Sequence, residues 1–127
     1  MLLEINTLSP LPIYEQLRNQ IVQGIAAGQL SPGEGLPSVR RLAADLGINF
    51  HTVNKAYTNL AEEGYIAIDR RRGALVSAHI KPTEDFCAAL SHKLTLAAAE
   101  AICHGMTEAE FTALCANHYK NPGGASQ

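Results

Sequence analysis

LPSVRRLAADLGINFHTVNKAYTNLAEEGYIAIDRRRGALV, residues 36–76, is the stretch whose reading decides the fold. Ser38 is a natural N-cap, because its hydroxyl can accept from the free N–H groups that open a helix. Val39, Leu42, Ala43 and Leu46 follow at the i, i+3, i+4, i+7 spacing of one buried helical face. Gly47 ends that helix and permits a sharp turn, and Ile48 can plug the angle. Asn49 caps a second helix, where Val53, Ala56, Tyr57 and Leu60 repeat the spacing before Gly64 stops it. Residues 65–69 alternate like a half-buried strand, Arg70, Arg71, Arg72 and Gly73 make a turn, and residues 74–77 return as a second strand. Two short amphipathic helices joined by a glycine turn, then a basic-tipped hairpin, predict a winged helix-turn-helix.

Working outward, Pro12 opens a predicted helix over residues 12–27, with Ile13, Leu17, Ile21 and Ile25 recurring every four residues and Gly28 as its stop. Residues 1–10 read as a short strand or arm and residues 30–35 as a loop. Beyond Lys81 and Pro82, a helix is predicted over residues 83–104, with a stripe of Phe86, Leu90, Leu94, Ala97, Ala98, Ala101 and Ile102. Thr107 and Glu110 form a capping box for a last helix carrying Phe111, Leu114, Cys115 and His118 or Tyr119 at helical spacing. The expected fold class is mainly α with a small β-hairpin. A winged helix-turn-helix over residues 1–80 precedes a two-helix dimerisation unit over residues 81–120 and a disordered tail over residues 121–127. Two helices cannot bury such a stripe alone, since small units expose too much surface. Phe86, Leu90, Leu94, Ala98, Ile102, Phe111 and Leu114 are therefore expected to pair two copies.

The length of the chain suits one ordinary domain, or a small domain with an appendage. Of its 127 residues 46% are hydrophobic but only 6% aromatic, with no Trp, so the core must be aliphatic. The net charge of −2 looks wrong for a nucleic-acid binder, but distribution matters more than the sum. Residues 1–80 hold seven Lys or Arg, and all but Arg18 fall within residues 36–76. The three Cys without a signal-like N-terminus suit a reducing cytoplasm. No stretch reads as the run of about 18 apolar residues that a membrane span requires.

The face of the second helix opposite its apolar stripe holds His51, Thr52, Lys55, Thr58 and Asn59, with Asn54 at its edge. Side chains near the N-terminus of such a helix meet base edges in the major groove, where Asn can pair with adenine and Thr can touch a thymine methyl. Asn49 belongs to the same end. Ser38 and Arg40 can clamp one phosphate with a hydroxyl, helix N–H groups and a guanidinium. Arg70, Arg71 and Arg72 beside Gly73 can enter the minor groove or ride a phosphate ridge. A solvated helix face and a solvated charge run would show the same residues singly; their succession favours contact with double-stranded DNA. Phe50 is odd on an exposed reading helix and could pack on the wing or on a thymine methyl.

Other chemistries are weaker. Cys103, His104, Cys115 and His118 could hold a soft metal, but Cys103 and His104 are sequential and point apart, so no metal site is expected. Nothing cationic flanks Cys87 or Cys115 to make a thiol switch. His79 and His92 read as surface residues. No nucleophile–base set and no glycine-rich phosphate loop appears, which argues against an enzyme and against a cofactor. A winged helix used only for protein–protein contact is one alternative, and it would not need the basic tip; a metal- or thiol-responsive regulator of the same fold is the other.

Several spaced motifs carry a resemblance: Pro12-Ile13-Tyr14-Glu15-Gln16-Leu17, Gly28-Gln29-Leu30-Ser31-Pro32-Gly33-Glu34, Leu36-Pro37-Ser38-Val39-Arg40-Arg41-Leu42-Ala43, Leu46-Gly47-Ile48-Asn49, Thr52-Val53, Ala56-Tyr57 and Glu63-Gly64-Tyr65-Ile66. Together with the Arg-rich wing they resemble the GntR family of bacterial transcription regulators over about residues 12–76. The resemblance implies that Ser38, Arg40, Asn49, His51, Thr52, Asn54 and the wing bind DNA. The short remainder is similar to the YtrA-like subfamily, whose C-terminal helices pair two protomers. It implies a homodimeric repressor on a palindromic operator, with half-sites about 34 Å apart or a multiple of it, and transporter operons among its targets. Phe50 and His51 depart from the commoner small or basic residues, so no operator sequence carries over. The resemblance leaves the small-molecule effector unknown.

Overall fold

The computed structural model describes residues 3–78 and 80–124. The elements run α1 (Ile13–Ala26), α2 (Val39–Leu46), α3 (Phe50–Glu62), β1 (Ile66–Asp69), β2 (Gly73–Val76), α4 (Glu84–Cys103) and α5 (Glu108–Lys120). They fall into two compact units, Met1–Ile80 and Lys81–Gln127.

In the first unit α1 and α2 both pack on α3, and the hairpin follows α3 directly. Leu17 and Ile21 of α1 and Val53 and Leu60 of α3 are fully buried. Burying each such side chain contributes about 1.5–3 kcal/mol. Leu42 and Ala43 of α2, Ala56 and Tyr57 of α3, and Ile66, Ala74 and Val76 of the hairpin complete the core, while Val39, Leu46 and Ile48 pack at its margin. The apolar spacing in α2 and α3 thus maps onto this core.

The helix ends follow local chemistry. Ser38 Oγ accepts from the Arg41 N–H, and Asn49 Oδ1 accepts from the His51 N–H at 2.7 Å. At the end of α2, Gly47 adopts φ 67°, and the Ile48 N–H returns to the Ala43 carbonyl at 3.0 Å. At the end of α3 the Tyr65 N–H bonds to the Leu60 carbonyl at 2.9 Å. Tyr65 therefore closes the helix, and β1 begins one residue later than its alternation suggests.

Two segments are better ordered than their composition implies. The loop after α1 runs along β2: the Gly33 and Leu36 N–H groups donate to Val76 and Ala74 carbonyls, both at 2.8 Å, and the Val76 N–H donates to the Glu34 carbonyl at 2.9 Å. This covers the outer edge of β2, which would otherwise present unpaired backbone groups. The N-terminal arm is tied down by Gln16, the one buried polar side chain outside the apolar core among the described residues. Its Oε1 accepts from the Asn6 N–H, and its Nε2 donates to the Asn6 and Leu11 carbonyls, each at 2.9 Å.

In the second unit Thr83 caps α4, and Thr107 and Glu110 form the capping box of α5. No residue of either helix is buried. Phe86, Leu90, Leu94, Ile102 and Leu114 stand exposed, and Ala98 and Phe111 are half-buried. One expectation needs correction: α4 is long and apolar enough, with mean hydropathy 1.2, to cross a membrane by length and composition. Ser91, His92 and Lys93 interrupt every long apolar run, but the Ala and Leu around them keep the average high. The tail begins with two local hydrogen bonds. The Asn121 side chain donates to the Asn117 carbonyl, and the Gly124 N–H closes a turn onto the Asn121 carbonyl at 3.1 Å. Residues 125–127 of that tail, and His79, lie outside the described residues.

Candidate nucleic-acid interface

Three parts of the first unit carry the expected contact residues: the start of α2, the start of α3 and the wing. Ser38 and Arg40 are exposed on the first turn of α2. The Ser38 oxygen serves the Arg41 N–H while its own hydrogen stays free to donate outward. The Arg40 guanidinium lies 5.1 Å from the centroid of the Phe50 ring. Phe50 in turn meets the His51 ring edge-on at 5.4 Å.

On α3 the side chains of His51, Asn54, Lys55 and Thr58 are exposed, but Thr52 and Asn59 are half-buried. Thr52 therefore offers less reading surface than its place in the helical pattern suggests. Asn49 uses one lone pair of its side-chain oxygen on capping, which leaves its amide N–H₂ as the less engaged group for a base. Lys55 turns toward α1, with its ammonium 4.1 Å from the Tyr14 ring centroid. These placements grade the expected residues: Asn54 is free, His51 is exposed but meets the Phe50 ring, Thr52 and Asn49 are partly engaged, and Lys55 leans on a neighbouring helix.

The wing has an organiser that the charge pattern hides. Asp69 Oδ1 accepts from the Arg71 N–H at 2.7 Å and the Arg72 N–H at 3.0 Å. These backbone bonds, that of Arg72 first, hold the Asp69 carboxyl below its ordinary pKa, with the Arg72 charge adding to them. Arg70, Arg71 and Arg72 remain exposed, and Gly73 sits across from Asp69 with φ 77°. An Asp just before a turn is a sequence signal for such bonding.

Tyr57 is the second residue missed as a site component. Its hydroxyl donates to the Pro37 carbonyl at 2.7 Å, fixing the start of α2 against α3. Burial pushes its pKa up to about 12. Arg18, by contrast, is withdrawn from any phosphate: it pairs with Glu63 and lies over the Tyr65 ring. That pairing, ahead of a smaller opposing effect of burial, raises its pKa.

Between the start of α2, the outer side of α3 and the wing runs a groove of about 470 Å³ whose lining includes Ser38, Asn54, Thr58, Ile68 and Gly73. Ser38, Asn54 and Gly73 thus face one shared concavity. Among the described residues no three His, Cys, Asp or Glu side chains gather as a metal site. Cys87, Cys103 and Cys115 are exposed free thiols, and His104 Nδ1 is engaged by the Glu100 carbonyl at 2.9 Å.

A helix-turn-helix with a basic wing, mounted on one small core, defines the class of winged-helix transcription regulators. Residues 13–76 match the family described as bacterial regulatory proteins, gntR family, and the chain belongs to that family. It is 42% identical over 82 residues to the HTH-type transcriptional repressor YtrA of Bacillus subtilis (strain 168), which makes it YtrA-like. That alignment covers 65% of this chain and 63% of YtrA, so the chain matches less than two thirds of the relative's length. The crystal structure of a transcriptional antiterminator from Listeria monocytogenes EGD-e is similar over 100% of this chain and 96% of its own, with a TM-score of 0.89 and 27% identity. The DNA-binding domain of AraR in complex with operator ORX1 matches 61% of this chain and 99% of its own, with a TM-score of 0.54 and 27% identity.

Proposed function

We propose that this chain is a cytoplasmic, homodimeric, sequence-specific repressor that binds an inverted-repeat operator in double-stranded DNA. The observation that carries the reading is the convergence of Arg40, exposed His51 and Asn54, and the arginine tip on one unit whose fold is shared with an operator-bound domain. Ser38 and Arg40 take a backbone phosphate at the start of α2. His51 and Asn54 read base edges, with Thr52 and the Asn49 amide as lesser contacts. Arg70, Arg71 and Arg72 position the duplex, Gly73 lets the tip turn, and Lys55 adds a peripheral charge. Pairing through α4 and α5 joins two such heads. A transporter operon as the target rests on family resemblance alone.

The test is binding to an inverted repeat selected from a random duplex pool. If the dimer neutralises about six to eight phosphates, log affinity should fall against log salt with a slope of about −5 to −7. Arg40→Ala should weaken binding and make the slope shallower. A flat salt response, or unchanged affinity in Arg40→Ala, would sink the contact assignment and favour a protein partner for α3.

A further inference from the structure

Phe50 has no place in the contact scheme above. It is the first residue of α3 and 37% exposed, an unfavourable location for a large apolar ring. It packs against the Arg40 guanidinium, 5.1 Å from the ring centroid, and against the His51 ring at an interplanar angle of 81°. Arg40 forms no salt bridge among the described residues, whereas Arg18, Arg41 and Arg72 each have a carboxylate partner. The aromatic face is thus the partner that Arg40 has in the free protein.

We propose that Phe50 is a positioning residue for DNA binding: its ring holds the Arg40 guanidinium in place at the junction of α2 and α3. This rests on the reading of Arg40 as a phosphate contact. A guanidinium stacks through its flat face, and its N–H edge stays open to take two phosphate oxygens side by side. An unsupported arginine would sample many rotamers and lose that freedom only on binding. The stack removes part of the freedom beforehand, so less is lost when DNA arrives. His51, seated edge-on against the same ring, links this support to a base-reading side chain.

An exposed cation–π contact corresponds to about two- to fivefold in affinity per reading head. Two independent heads on one inverted repeat make that about four- to twenty-fivefold. The experiment compares wild type, Phe50→Leu, Phe50→Trp, Arg40→Ala and the Phe50→Leu/Arg40→Ala pair on the selected inverted repeat. NMR of the free proteins follows the Arg40 δ protons. Phe50→Leu should lose affinity by the stated factor, Phe50→Trp should keep it, and Phe50→Leu should change nothing once Arg40 is Ala. The Arg40 δ protons should be ring-shifted upfield in wild type and Phe50→Trp and return to ordinary positions in Phe50→Leu. Equal losses from Phe50→Leu with and without Arg40 would overturn the proposal and assign the ring a DNA contact of its own, as on a thymine methyl. Unshifted Arg40 protons in the wild type would overturn it without any DNA. If the wild type selects no duplex at all, the DNA-binding reading fails first and the role of Phe50 falls with it, although the ring shift would still report the stack.

Discussion

The Tyr57 hydroxyl shows how one buried polar atom can set the geometry of a reading head. The ring belongs to the core, at 3% exposure, while its oxygen reaches back to the carbonyl of Pro37, one residue before the Ser38 cap. Tyr57→Phe leaves that carbonyl without its donor and should cost about 0.5–1.5 kcal/mol. For a unit of this size, each kcal/mol lowers the melting temperature by about 4–8 °C. Operator affinity should fall as well, because Ser38 and Arg40 ride on the loosened end. The pH dependence has a definite sign. Burial raises the hydroxyl pKa from 10.0 to about 12, so the folded chain holds this proton more tightly than the unfolded chain does. The resulting stability is complete below the unfolded value and is lost as pH rises through the folded one. Denaturant titrations should therefore show wild type losing its advantage over Tyr57→Phe across that alkaline interval; a constant gap would refute the assignment. Spacing alone made Tyr57 a core residue, but periodicity is blind to where a hydroxyl finds its acceptor. The same holds for Phe50, whose partner sits on the preceding helix, and for Asp69, whose backbone bonds lie hidden beneath the arginine run.

At the scale of elements, the helix boundaries were legible because their signals are local. Ser38, Asn49 and Thr107 cap the helices that follow them, and the glycines after α2 and α3 end those helices. The pairing of residues 33–36 with β2 was not legible, since Gly33, Glu34 and Leu36 look like turn residues until a distant strand supplies their hydrogen bonds. The anchoring of the N-terminal arm by Gln16 was hidden for a similar reason: a polar residue on an apolar helix stripe does not announce that it will be buried and satisfied. The turn between α2 and α3 gives the sharpest test at this scale. Gly47 has φ 67°, and a Cβ placed there meets nothing within 4 Å. Gly47→Ala should therefore cost about 1–2 kcal/mol through backbone conformation alone, and Gly47→Asn distinctly less, because Asn tolerates the left-handed region. Urea unfolding of the three proteins checks the order; an Ala variant as stable as wild type would mean that the turn between the helices is not held in this conformation.

The whole molecule joins a unit with its own core to one that has none. Every residue of α4 and α5 keeps some contact with solvent, and Leu90 and Leu94 are 42% and 49% exposed. So much open apolar surface calls for cover. A second copy and a bilayer are the two candidates that α4 itself suggests, and its charged residues discriminate between them. Lys93 sits at mid-helix and Glu100 lies further along, with Glu84 and Asp85 at the start. A lysine at the centre of a membrane-spanning helix costs about 2.5–3.5 kcal/mol, whereas at the flank of a paired helix, three residues after Leu90, its stem can lie along the seam while its ammonium reaches water. The arrangement Phe86, Leu90, Leu94, Ala97, Ala98, Ala101 then offers one seam, whose small residues let two backbones approach. The sidedness is incomplete, since Leu96 stands 59% exposed on the face that carries Lys93 and Glu100. If the seam pairs two copies, wild type should sediment as a dimer with a melting transition that rises with protein concentration. Leu90→Glu/Leu94→Glu should sediment as a monomer, keep the fold of the first unit, and bind a full inverted repeat little better than a single half-site. A wild-type chain that stays monomeric at all concentrations would overturn the pairing, and one that partitions into phospholipid vesicles, with the double Glu variant remaining in solution, would assign the seam to a membrane instead.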